Sequence, residues 1–147
     1  MRRWSKLQKK LYDLMDPRAG FQIHMALYEM NSNDGYHSEK LPRYFITCGK
    51  EIIFDYPKDF DTGTEEYHTT YPWMTDISAI SNLIEAYINT PVNDLMDTFP
   101  DDRWGLTDLL RAADRRIGKR RADSMLENTE NRGVRLLLMK RYGNPVA

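Results

Sequence analysis

The spacing of apolar residues predicts a helix at the start of the chain. Apolar side chains recur every three or four residues at Trp4, Leu7, Leu11 and Leu14, which is the pattern of one buried helix face. The helix is predicted over residues 3–15. Asp16-Pro17 follows, and because the residue before a proline resists helical angles, we expect the helix to end there.

The next apolar pattern has a period of two, which is typical of half-buried strands. Residues 21–28 alternate in this way, and residues 43–47 and 51–55 are rich in β-branched and aromatic side chains. The last two runs flank Cys48-Gly49-Lys50, as a hairpin requires. Residues 31–35 have the composition of a turn, with a loop continuing to Pro42. The sequence therefore predicts three antiparallel strands.

Residues 56–75 show no period and contain Pro57, Pro72 and Gly63. An irregular stretch of this length is often functional when it is ordered. The alternative is a plain crossover whose scattered aromatic side chains pin it to the core. The sequence leaves both interpretations open.

The remainder of the chain has helical periodicity. One helix is predicted up to Ile88, before Thr90-Pro91, and a second from about Gly105 to Ile117; further helices are predicted near 119–127 and 132–142. No internal repeat is recognised. This order predicts an α+β fold: an N-terminal helix, a small antiparallel sheet of about three strands, and a helical C-terminal half packed on one face of the sheet.

Composition indicates a folded, single-domain protein. The chain has 147 residues, 41% of them hydrophobic and 29% charged, which is close to the globular average and sufficient for one core. We expect one domain over residues 1–147. Cys48 is the single cysteine, and neither a signal peptide nor a run of about 18 apolar residues is recognised. These features favour a cytoplasmic protein that does not span a membrane.

The net charge of −1 conceals an uneven distribution of charge along the chain. Basic side chains outnumber acidic ones in residues 1–20 and 105–147, whereas acidic side chains prevail in residues 21–104. Such asymmetry can mark a surface that binds polyanions. The basic ends can also lie against the acidic middle and neutralise it.

Candidate catalytic and metal-binding chemistry is sparse. His24, His37 and His68 lack the spacing of a metal site, and the phosphate-loop, dinucleotide and nucleophile-elbow motifs are not found. We therefore predict no catalytic, cofactor-binding or metal-ligating residue.

The clearest candidate site is a basic segment after Leu110. It contains Arg111, Arg115, Arg116, Lys119, Arg120 and Arg121. On one helix, Arg111, Arg115 and Lys119 would lie opposite the apolar face, and a break at Gly118 would direct the following arginines outward. Arginine offers a planar pair of donors to phosphate or carboxylate oxygens. Interleaved aspartates could instead pair with these side chains along the helix.

Three stretches of the chain resemble a family of small bacterial cytoplasmic proteins of unknown function. The stretches are residues 1–9, 41–47 and 104–121, the last reading WGLTDLLRAADRRIGKRR. The resemblance implies a bacterial cytosolic origin and no particular activity.

The leading hypothesis is therefore a non-enzymatic interaction module whose cationic helical surface binds an acidic partner, either protein or nucleic acid. One alternative is a small enzyme with a pocket under the loop of residues 56–73. The other is a structural subunit of a homo-oligomer, in which exposed aromatic side chains such as Tyr56 and Tyr67 would form a contact patch.

Overall fold

The structure is a computed structural model, and it describes residues 4–31, 38–56, 74–100, 102 and 105–143. The helices are α1 (Trp4–Leu14), α2 (Met74–Ile88), α3 (Leu106–Ala113), α4 (Lys119–Asn128) and α5 (Arg132–Tyr142). The strands are β1 (Phe21–Asn31), β2 (Ser38–Cys48) and β3 (Glu51–Tyr56). Short 3-10 turns occupy Pro17–Ala19 and Val92–Asp94. The predicted α+β fold is confirmed.

The sheet is antiparallel in the order β1-β2-β3. It is longer than predicted, because β2 already begins at Ser38 and pairs Pro42 with Leu27 of β1. In the described part of the chain, β3 pairs with β2 only from Tyr44 onward. Among the described residues, 38–43 therefore pair with β1 alone, a setting in which a proline is tolerated.

One face of the sheet carries the core. Phe21, Ile23, Tyr44, Ile46 and Cys48 are all buried, whereas Gln22 and Ile52 are exposed. The helices cover the buried face, as the sequence predicted. A bulge at Ile53 adds one more apolar side chain to that face, where Ile53 and Phe54 pack against the core.

The first turn of α5 lies close to both the sheet and α3. A Cβ atom built on Gly133 would lie 2.9 Å from Ile53 Cβ and 2.9 Å from Leu109 Cδ2. Glycine therefore allows α5 to approach its two neighbours more closely than alanine would.

The helix predicted from about Gly105 to Ile117 is shorter in the structure and ends inside the basic segment after Leu110. Helix α3 ends at Ala113, Asp114 is extended, and α4 starts only at Lys119. The expected break at Gly118 does separate the two helices, but the first leaves helical geometry four residues earlier. The cause is a contact distant in sequence, since Asp114 forms an isolated antiparallel bridge with Met15 after α1.

Two further expectations, the pocket under the loop of residues 56–73 and the contact patch that includes Tyr67, depend on residues outside this description. Residues 57–73 belong to the irregular stretch, so a pocket beneath it stays a prediction.

None of the helices in the described ranges has both the length and the apolar character that crossing a membrane requires.

Candidate functional site

The structure divides the six predicted basic residues into two groups. Arg111 and Arg116 point into the protein, where their guanidinium groups bind carboxylates and carbonyls. The other four side chains are exposed: Arg115, Lys119, Arg120 and Arg121. The four exposed residues are called the basic corner below.

Arg111 fixes the turn after α2 to α3. Its side chain is only 9% exposed, and Nε and Nη2 donate to the carbonyl oxygens of Leu95 (2.6 Å) and Asp97 (2.5 Å). Nη1 donates to Asp108 Oδ1 at 2.6 Å. The prediction that Arg111 belongs to an exposed cationic face is wrong, because residues 95–97 cover its side of α3.

Arg116 is held by the buried carboxylate of Asp114. Its Nη2 lies 2.7 Å from Asp114 Oδ2, and its backbone amide donates to Oδ1 at 2.8 Å. The hydrogen bond with Asp114 raises the pKa of the Arg116 guanidinium. Tyr87 also donates to Asp114 Oδ2, at 2.6 Å, and burial raises the pKa of the Tyr87 hydroxyl far above its usual value. The Arg116 guanidinium therefore forms an ion pair inside the protein.

The same arrangement occurs a second time, at the end of α1. Asp16 accepts hydrogen bonds from the backbone amide of Arg18 at 2.9 Å and from its Nη2 at 2.8 Å. The backbones of the two turns also pair, since Asp16 N donates to Ala113 O (2.7 Å) and Arg115 N to Leu14 O (2.8 Å). The structure thus places two Asp-x-Arg turns side by side.

A short sequence repeat underlies these two turns. Residues 16–20 read DPRAG and residues 114–118 read DRRIG, so Asp, Arg and Gly recur at the same spacing. The repeat is not recognisable from the sequence alone, because five residues with three identities stand out only when both copies are seen to follow the end of a helix. This pattern was the available signal for the internal roles of Asp16, Asp114 and Arg116.

Arg141 connects the two turns. Its side chain is 1% exposed, and Nε donates to Asp16 Oδ2 at 3.0 Å. The other two nitrogens reach the second turn, with Nη1 3.0 Å from Ala112 O and Nη2 2.8 Å from Ile117 O. The hydrogen bonds from Arg18, and then from Arg141, hold the pKa of Asp16 well below its usual range.

The basic corner begins where the second turn meets α1. Arg115 is exposed, and its Nε donates to the carbonyl oxygen of Asp13 at 2.9 Å. Lys119, Arg120 and Arg121 form the first turn of α4. Among the residues that the structure describes, no carboxylate forms an ion pair with any of these four side chains.

The charges of α4 run against its helix dipole. Its first turn contains no acidic residue, and no side chain caps its N-terminus at Gly118. The acidic side chains of the helix, Asp123 and Glu127, come later in the sequence. Because a helix N-terminus carries a partial positive charge, the three cations there raise the local positive potential. The arrangement favours a bound anion.

The molecule is thus defined as an α+β protein with two adjoining Asp-Arg turns whose aspartates are buried, and with four exposed cations in and directly after the second turn. The model of the SF0329 protein family matches residues 64–141, which is more than half of the chain. The chain belongs to this family, and the resemblance to a family of unknown function is confirmed. Bacterial origin and cytoplasmic location stay predictions.

The family match includes the whole basic corner and the second Asp-Arg turn. The comparisons with curated proteins and with solved structures found no match.

Proposed function

We propose that the protein is a non-enzymatic interaction module that binds an acidic partner through the basic corner. The observation that supports this proposal is the first turn of α4, where three adjacent cations stand exposed without a paired carboxylate in the described residues. Arg111 and Arg116 are not part of the binding surface, because their donors are used inside the protein.

The energetics of α4 support a role in binding. Each cation near a helix N-terminus costs about 0.3–1 kcal/mol when it is exposed at low salt. Three such residues in succession weaken the free helix, and an anion bound at this end would remove the repulsion. A surface that is unfavourable alone and favourable when occupied is typical of a binding site.

Phosphate is the anion that fits this corner best. Guanidinium groups bind two oxygens of one phosphate, and the amide groups of an uncapped helix N-terminus bind the others. Nucleic acid is therefore the leading partner, and an acidic protein segment is the alternative. Helix α1, whose Asp13 carbonyl oxygen accepts from Arg115, carries three more exposed cations: Lys6, Lys9 and Lys10.

Retention on heparin and on mixed nucleic acid at rising salt tests the proposal. We expect the protein to elute at a salt concentration that falls sharply in the variant Arg115→Glu/Lys119→Glu, since each lost phosphate contact lowers the salt dependence of binding. Lys50→Glu, in the exposed turn between β2 and β3, is a control that removes a lysine far along the chain from the corner. Absent or salt-insensitive retention would reject a polyanion partner.

An acidic protein partner gives a different result. In that case an acidic peptide binds the basic corner in solution, whereas duplex and single-stranded nucleic acids do not. The two remaining hypotheses, an enzyme with a pocket under residues 56–73 and a structural subunit of a homo-oligomer, receive no support from the described residues.

A further inference from the structure

A cavity lies between α3, α4, the first turn of α5 and the turn after Val92–Asp94. Its volume is about 230 Å³, and the residues that line it include Met96, Asp108, Ser124, Met125, Asn128 and Thr129. None of these six residues belongs to the basic corner. The cavity therefore provides chemistry that the proposed function does not use.

The charged group of this cavity is the carboxylate of Asp108. Its Oδ1 accepts the 2.6 Å hydrogen bond from Arg111, and within the described structure its second oxygen has no protein donor. Arg111 donates to Asp108 through Nη1, because its Nε and Nη2 donate to Leu95 O and Asp97 O. One carboxylate oxygen is thus available to a ligand.

The other polar groups of the cavity also favour a ligand that donates hydrogen bonds. Asn128 Nδ2 donates to the carbonyl oxygen of Ser124 at 2.8 Å, which leaves its Oδ1 as an acceptor. Thr129 Oγ1 accepts the backbone amide of Asn131 at 3.0 Å. The free capacity of the cavity lies mainly in the oxygens of Asp108 and Asn128.

Apolar side chains form the rest of the wall. Met96 is 40% exposed although it is a large hydrophobic residue, Met125 is half-buried, and the lining includes the buried Val134. Methionine side chains are flexible and adapt to irregular aliphatic groups. The cavity therefore combines a carboxylate that has one oxygen without a protein donor with an aliphatic wall that can adapt its shape.

We propose that this cavity binds a primary alkylammonium group. The ammonium would donate to Asp108 and Asn128, using two of its three hydrogens, and its alkyl chain would pack between Met96 and Met125. A free diamine and the lysine side chain of a peptide share this chemistry. The inference is independent of the proposed function, because it uses none of the four exposed cations.

Nuclear magnetic resonance of methionine methyl groups labelled with ¹³C provides the test. We expect n-butylammonium to shift the Met96 and Met125 signals saturably, whereas n-butanol, which has the same chain and no charge, causes much smaller shifts. The variant Asp108→Asn should bind n-butylammonium about tenfold more weakly, since a charge-assisted hydrogen bond is lost. Equal binding of the two probes, or binding that Asp108→Asn leaves unchanged, would overturn the proposal.

Two further variants keep the test decisive if Asp108→Asn does not fold. Ser124→Phe fills the cavity without touching Arg111 and should abolish the shifts, whereas Asp123→Asn removes an exposed carboxylate that does not line the cavity and should preserve them. Shifts that survive Ser124→Phe would contradict the proposed site.

Two larger probes distinguish the sources of the ammonium group. If 1,5-diaminopentane binds more tightly than N-acetyl-lysine methylamide, the natural ligand is a free diamine. If N-acetyl-lysine methylamide binds more tightly, the ligand is a lysine side chain of a partner. The proposal is contradicted if neither probe binds. Lys119→Glu separates this site from the basic corner, because it should weaken retention on heparin and leave n-butylammonium binding intact.

Discussion

Asp16 and Asp114 lie 98 positions apart in sequence, and each accepts hydrogen bonds from the backbone amide and the guanidinium of the arginine two residues later. Each aspartate follows the end of a helix, and the two chain segments pair as an antiparallel bridge between Met15 and Asp114. Their third partners differ, because Asp16 accepts from Arg141 and Asp114 from Tyr87. The two turns and their partners fix the end of α1 to the end of α3.

Arg141 is expected to be essential for stability. The variant Arg141→Met removes the side-chain donor to Ala112 O, one of the two donors to Ile117 O, and one of the two cations bound to Asp16. Loss of one partner of a buried ion pair costs about 3–5 kcal/mol, and urea unfolding measures the change. Arg135→Met, on the exposed side of the same helix, should change the free energy of unfolding by less than about 0.5 kcal/mol. Similar effects of the two variants would show that the link between the turns is unimportant.

Stability should fall in acid because of Asp16. The pKa of this carboxyl is lowered in the folded protein, whereas the unfolded chain has a value of about 3.9. The unfolded state therefore binds the proton first, and the stabilisation present at neutral pH is lost as the pH falls through and below that value. The free energy of unfolding of Asp16→Asn should be lower at pH 7 and should decline less steeply in acid. Parallel pH profiles for the two proteins would contradict this expectation.

Lys119→Glu should separate stability from binding. A glutamate in the first turn of α4 interacts favourably with the helix dipole, so the thermal midpoint should rise by the equivalent of about 0.3–1 kcal/mol. The same variant should elute earlier from heparin. A protein that becomes more stable yet binds less has not lost binding through unfolding. Stabilisation without weaker retention would exclude Lys119 from the binding surface.

Gly133→Ala should destabilise the protein although alanine is the better helix former. The added Cβ would lie 2.9 Å from atoms of Ile53 and Leu109, and such overpacking costs about 1–3 kcal/mol. The gain in helix propensity, about 1 kcal/mol, offsets part of this cost. Gly118→Ala introduces the same methyl group where nothing lies within 4 Å, so chemical denaturation should show the smaller change there. The reverse order would disprove the close packing of α5.

Local pattern was sufficient to predict most elements of the fold. The apolar periodicity predicted α1, the three strands, α2 and the later helices, since each buries one face against the same core. The start of β2 was missed because a proline such as Pro42 indicates a loop when the pairing of the neighbouring strands is not known. The end of α3 was missed because it depends on the bridge between Asp114 and Met15.

The candidate site was predictable in composition but not in orientation. A helical projection places Arg111 with Arg115 and Lys119, yet the carbonyl oxygens of Leu95 and Asp97 draw its guanidinium inward. Those carbonyls belong to a turn whose position no local pattern indicates. The cavity beside Asp108 was equally hidden, because its residues come from four separate segments.

The contact between Arg141 and Asp16 joins residues 125 positions apart. Contacts between such distant residues form late in folding, because closing a long loop costs chain entropy before the contact lowers the free energy. During synthesis the end of the N-terminal helix therefore lacks its hydrogen bond with Arg141 until α5 has been made. We expect a ribosome-bound chain that stops short of residue 141 to expose this end to proteases, and a released chain to protect it.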